Sequence, residues 1–159
     1  MSHLLPPNEN ARLAALNELA LLDTPNEPAF DRITRLVTVL LGVPQSTITL
    51  IDSDRQWFKS QVGINISETP RDVAFCAYTV LEDEPLVIED AQQDARFATN
   101  PYVMTPGGIR FYAGIPLRSS QGLVLGSLCA MDSQPRSLSD QEKAAMQDLA
   151  DIVIGEIHL

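Results

Sequence analysis

The apolar residues change their spacing twice along this chain, and those changes leave few folds open. Through residue 41 they recur at helical intervals. Leu13, Leu16 and Leu19 or Ala20 mark one stripe, with Asn8 or Asn10 available as a cap. Phe30, Ile33, Val37 and Leu40/Leu41 mark a second stripe, closed by Gly42 and Pro44. From Thr47 the interval drops to two. Thr47–Ile51 and Arg55–Val62 read as a hairpin turning at Asp52-Ser53-Asp54. A loop over 63–70, a short helix over about 73–81 and a short strand at 86–88 follow. Two apolar strands, Ile109–Leu117 and Leu123–Met131, come next, and then helical spacing returns. Ser139 and Glu142 form a capping box that opens a last helix carrying Met146, Leu149, Val153 and Ile157 on one face.

Hairpins bracketed by helices, rather than strands alternating with them, predict an α+β domain on an antiparallel sheet. The 159 residues suffice for one domain and its core. Hydrophobic residues at 45% and charged residues at 20% exclude a disordered or fibrous chain. Unbroken apolar runs stay far below the ~20 residues of a membrane span, and the N-terminus lacks a signal-peptide pattern. We expect a soluble, cytoplasmic protein. With 11 Lys and Arg against 21 Asp and Glu, the net charge of −10 argues against nucleic acid and against an anionic membrane surface as partners.

The catalytic inventory is thin. Histidine occurs only at His3 and His158, so no Ser-His-Asp triad, Cys-His dyad or HExxH motif can be assembled, and zinc lacks a ligand set. Cys76 and Cys129 are in no CxxC spacing and read as small buried hydrophobes. No metal, cofactor or catalytic residue is expected.

The segment 90–108 is long, polar and irregular, which in a small domain points to function or to a loop packed on itself. Arg96 and Arg110 lie in or beside it. A half-buried arginine requires a carboxylate, and Asp94–Arg96 and Asp90–Arg110 are the expected ion pairs pinning the loop.

Three segments carry a resemblance to one family. Arg71-Asp72-Val73-Ala74-Phe75-Cys76 resembles the RD-x-x-FC helix of bacterial GAF domains. Asp94-Ala95-Arg96-Phe97-Ala98-Thr99-Asn100-Pro101 is similar to their D-x-RF-x-x-NP loop. Ile109–Leu117 with Gly126–Asp132 is similar to their IRFYAG-x-PL … G-x-LC-x-x-D hairpin, and Leu22-Asp23-Thr24-Pro25 to the LDTP lead-in. The resemblance covers nearly the whole chain in the right order. It implies a five- to six-stranded antiparallel sheet of order 2-1-5-4-3, with terminal helices on one face and a middle helix plus long loop on the other. Residues 1–159 then form one domain: a helical lead-in over 1–24, a core over 25–137 and a C-terminal signalling helix over 138–159.

The resemblance also implies a sensory or dimerisation module that is usually joined to a histidine kinase, a GGDEF cyclase or a similar output domain; the chain is an excised module or a stand-alone protein. Covalent bilin attachment is disfavoured, because Cys76 is followed by Ala77 and Tyr78 where relatives carry histidine. The cyclic-nucleotide N-K-F-D-E pattern is missing, and so are the flanking motifs of the free methionine sulfoxide reductases. Two readings stay open: a small-molecule receptor whose occupancy biases a dimer of helices, and a ligandless dimerisation module. A GAF-fold redox enzyme is a distant third. For the receptor, the expected pocket comprises Phe75, Cys76 and Thr79, then Phe97, Asn100 and Tyr102, then Phe111, Ala113, Cys129 and Met131. For a homodimer, the expected contacts are Leu13 and Leu16 with Met146, Leu149, Val153 and Ile157.

Overall fold

The computed structural model describes residues 5–158; His3, with the rest of residues 1–4, and residue 159 lie outside them. Six strands form one antiparallel sheet: β1 Gln45–Ile51, β2 Arg55–Val62, β3 Glu68–Pro70, β4 Leu86–Ile88, β5 Phe111–Arg118 and β6 Val124–Asp132. Their order is β3-β2-β1-β6-β5-β4. This is the expected topology with one addition, the three-residue edge strand β3. It lies within the segment read as the 63–70 loop and is too short to show a period. The helices are α1 Glu9–Leu19, α2 Pro28–Leu41, α3 Phe75–Glu82, α4 Pro101–Met104 and α5 Asp140–Ile157.

Period-two alternation sends neighbouring side chains to opposite faces, and each face has its own core. On one, α2 and α5 lay Ile33, Val37, Met146, Leu149 and Val153 against Ile48, Phe111, Ala113, Ile115 and Leu128. Alongside, Leu16 of α1 packs with Leu50, Trp57 and Leu125. On the other, α3 and the 90–108 segment bring Phe75, Cys76, Val80, Phe97 and Val103 onto Tyr112, Cys129 and Met131. Gly126 sits where β6 crosses β1; a Cβ there would lie 1.8 Å from the Thr49 carbonyl oxygen, so only glycine fits.

Helix ends follow the expected chemistry in part. The capping box of Ser139 and Glu142 forms, and Gly42 closes α2 at φ 66°. Asn8 occupies the position before α1, but its side chain makes no cap. That helix is anchored by charge instead. Glu9 accepts from Arg12 (Nε 2.9 Å) and from Arg71 (Nη1 2.7 Å), while Arg12 reaches the Ile51 carbonyl (2.6 Å) and Arg71 the Asp52 carbonyl (3.0 Å). The arginine of the RD-x-x-FC segment thus fastens the first helix to the β1–β2 turn.

The LDTP segment is fastened in a related way. The register skips Lys59 between Phe58 and Ser60, a bulge that re-aims its side chain. Its buried ammonium donates to Thr24 Oγ1 and the Pro25 carbonyl, both at 2.8 Å, and pairs with Glu27 at 2.6 Å. Arg55 holds Asp23 through two bonds, of 2.8 and 2.9 Å.

Candidate functional site

A cavity of about 420 Å3 lies between the inner sheet face and the segments that cover it. Its sheet wall alternates as a strand must: Thr47 from β1, Gln56 and Phe58 from β2, Tyr112 and Met131 from β5 and β6. Its cover is built from Ile64, Ile66 and Thr69, the entry to α3 (Val73–Cys76), and Tyr102, Thr105 and Gly107–Ile109. Pro44, Ile66, Thr105, Gly107 and Ser133 are exposed and mark its mouth. No charged side chain lines it.

One polar group in the wall is incompletely paired. Gln56 is only 7% exposed; its Nε2 donates to Thr69 Oγ1 at 3.1 Å, and its Oε1 has no partner. Flipping the amide would only exchange the orphaned atom. Buried amides are normally satisfied, so this unpaired oxygen stands out in the wall.

Of the expected pocket residues, Phe75, Cys76, Tyr102 and Met131 line the cavity. Phe97 stacks on Phe75 (centroids 4.3 Å apart) and belongs to the packed core beside it, where Tyr78 meets it edge-on at 4.8 Å. Asn100 shapes the loop: its Oδ1 accepts from the Tyr102 amide (2.9 Å) and its Nδ2 donates to the Val73 carbonyl (3.0 Å), tying α4 to the start of α3. Phe111 and Ala113 face the opposite core, under α2 and α5, because strand parity puts them one residue out of phase with Tyr112. The alternation of β2 could have identified Gln56 and Phe58, which share a face; the contributions of 64–69 had no local signal.

The loop-pinning pairs divide in the same way. Arg96 meets Asp94 at 2.9 Å and Glu82 at 2.8 Å, and the guanidinium holds the Asp94 carboxyl below its usual range. The expected Asp90–Arg110 pair does not form. Asp90 accepts from the Gln92 amide at 3.0 Å, whereas Arg110 donates to the carbonyls of Val103 (2.7 Å) and Ile109 (3.1 Å). The last carbonyls of a helix lack intrahelical donors, and α4 supplies one that outcompetes the carboxylate.

Behind the cavity wall, Cys76 and Cys129 meet with sulfurs 3.1 Å apart. Tyr112 Oη is 3.1 Å from Cys76 Sγ and 3.4 Å from Cys129 Sγ; Ser127 Oγ is 2.8 Å from Cys129 Sγ, and Thr79 Oγ1 is 3.5 Å from Tyr112 Oη. Burial pushes the Cys76 thiol up, but hydrogen bonds from Cys129, Ser127, Thr49 and Tyr112 outweigh it and bring it down to about 7. Burial and then the neighbouring Cys76 push Cys129 up, and burial with the two sulfurs does the same to Tyr112.

The stripes expected at a dimer interface turn inward. Leu16, Met146, Leu149 and Val153 are buried in the domain's own cores, and Leu13 and Ile157 are half-buried against them. Exposed apolar residues lie elsewhere, Leu36, Val39 and Leu40 on α2 and Ile152 on α5. Among the described residues no cluster of metal-ligating side chains occurs, and no helix is long and apolar enough to cross a membrane.

Known proteins give this arrangement a family. A cyclic di-GMP phosphodiesterase of Pseudomonas aeruginosa is 39% identical over 154 residues, covering 96% of this chain but only 26% of its own length. A solved GAF domain from an Acinetobacter phosphoenolpyruvate-protein phosphotransferase superposes with a TM-score of 0.66 at 18% identity, covering 94% of both chains. The free methionine-R-sulfoxide reductase of Neisseria meningitidis superposes at 0.67 with 13% identity, covering 99% of this chain and 95% of that one, a likeness of fold. The GAF family model matches residues 25–157, and with the sheet order and the motif residues in place the chain belongs to the GAF domain family.

Proposed function

We propose that this GAF domain is a sensory module that binds a small, uncharged molecule in the cavity under α3 and passes its occupancy to an output domain. The observation that carries the reading is the cavity. About 420 Å3 falls within the range of small-molecule sites, and an apolar wall with a few placed polar groups is their usual make-up. Gln56, Thr47, Thr69 and Thr105 supply polar groups among the lining. With no Lys or Arg in the lining, a cyclic dinucleotide or another multiply charged anion would enter unpaired, at a large desolvation cost. The ligand is therefore neutral. Similarity at 39% identity to about a quarter of a cyclic di-GMP phosphodiesterase supports an output that governs cyclic-dinucleotide turnover. The domain itself acts as a receptor, not a catalyst.

Native mass spectrometry of protein isolated from cells tests this reading. We expect a non-covalent adduct that Ile109→Trp, which fills the cavity, abolishes. An adduct-free protein whose melting is unmoved by a library of neutral amides, ureas and heteroaromatics would refute it.

Self-association is the second reading, favoured by Leu36, Val39 and Leu40, which lie three and four apart along α2 and are 43%, 71% and 54% exposed. A homodimer through this stripe would couple the terminal helices of two copies. Light scattering should give a dimer mass that Val39→Asp reduces to the monomer; a monomer at high concentration refutes it.

A further inference from the structure

We propose that Cys76 and Cys129 form a peroxide-responsive dithiol: their sulfurs lie 3.1 Å apart, on α3 and β6, and Cys76 borders a cavity open to solvent. This separation is shorter than an ordinary sulfur–sulfur contact, and a disulfide at about 2.05 Å is roughly 1 Å shorter still. The two residues are 53 positions apart, so the bond would staple the middle helix to the sheet and close a long loop.

The surroundings assign the roles. Cys76 lines the cavity, and Cys129 lies behind it at 0% exposure. Tyr112 Oη, 3.1 Å from Cys76 Sγ, donates to a thiolate there, and Cys129 is within reach as a second donor. These contacts lower the Cys76 thiol, whereas Cys129 is raised, so the nucleophile is the cysteine whose residue lines the cavity. Cys76 thiolate attacks one oxygen of a hydroperoxide; the O–O bond breaks, and the leaving oxygen takes a proton, as water when the oxidant is hydrogen peroxide. Cys76 is then a sulfenic acid. The Cys129 sulfur displaces its hydroxyl, the S–S bond forms, and a second water leaves with the Cys129 proton. Two thiols have given up two electrons and the peroxide has accepted them. A dithiol reductant reverses the step by exchange through a mixed disulfide.

The staple would alter the cavity that Cys76 borders, since closing the last ångström draws the start of α3 towards β6. The chemistry itself is independent of whether a ligand binds there.

Hydrogen peroxide added to the purified chain tests the proposal. Under non-reducing conditions we expect a monomer lighter by two hydrogens, a peptide linking Cys76 to Cys129, and restoration by dithiothreitol. Cys129→Ser should stop at a Cys76 sulfenic acid that dimedone traps, and Cys76→Ser should slow peroxide consumption by at least about tenfold, the consequence of losing the lower-pKa, more accessible thiol. Cys→Ala versions of both replace the serines where folding suffers. A wild-type monomer of unchanged mass, overoxidation without a cross-link, or a linkage only between two chains would overturn it.

Discussion

Replacing Glu9 by glutamine keeps the side chain's shape and removes the one carboxylate that two buried guanidinium groups share. Arg12 and Arg71 are 1% and 0% exposed, and Glu9 is 12% exposed. Each arginine meets it through two nitrogens: Arg12 at 2.9 and 3.1 Å, Arg71 at 2.7 and 3.2 Å. Removing one partner of a buried pair costs about 3–5 kcal/mol, because a charge is left without its counterion. The carbonyls of Ile51 and Asp52 still accept from the two arginines, which places Glu9→Gln at the lower end, about 3 kcal/mol. A chain of this size would melt about 6–12 °C lower. Since α1 has only 11 residues and little stability of its own, it should lose helicity before the sheet unfolds.

A pH profile separates charge from shape. Burial raises the Glu9 carboxyl, but hydrogen bonds from Arg12 and Arg71 prevail and hold it at about 2 against an ordinary 4.5. A depressed carboxyl stabilises the fold above its unfolded pKa, and that contribution drains away as pH falls through the folded one. The full shift corresponds to about 3 kcal/mol, and solvent screening at the exposed edge leaves about 2. Urea denaturation of both proteins from pH 7 down to pH 2 should therefore show a gap between wild type and variant that is constant above about pH 5 and narrows below it. A gap under about 1 kcal/mol at pH 7, or one that does not change with pH, would refute the reasoning.

Phe97→Ala should cost about 3–4 kcal/mol and free the 90–108 segment to hydrogen exchange, since the ring is buried between Phe75 and Tyr78; exchange confined to the termini would count against it. Arg110→Met removes the donor to the Val103 carbonyl and should lower stability by about 1–2 kcal/mol, measured by urea titration, with Asp90→Asn nearly silent beside it. Arg96→Ala, by contrast, breaks a largely exposed network and should shift stability by no more than about 1 kcal/mol; a larger loss would show that Arg96 also secures Phe97, over whose ring it lies at 5.3 Å.

Fold class was legible because it rests on periodicity, a property of neighbours in the chain. The two helical stripes, the hairpin at 52–54 and the capping box at Ser139 all follow from residues within a few positions of one another. The quoted motifs were legible as a family signature, yet their physical work was not. That Arg71 would serve Glu9, 62 positions away, or that a bulge would turn Lys59 onto Thr24, depends on how the first helix docks. Asp94–Arg96 was readable because its members lie two positions apart; Asp90–Arg110 failed because α4 offered a nearer acceptor.

By itself the sequence determined where the main helices and strands lie and that the strands pair as an antiparallel sheet. Only the tertiary structure decided which side of the sheet each stripe covers, that Leu16, Met146, Leu149 and Val153 are buried in the domain's own cores, and that Gln56 borders a hollow beside two touching thiols. Local patterns record burial, since an apolar residue must leave water. They do not record against what, because that choice belongs to segments brought together only when the sheet closes over its two cores.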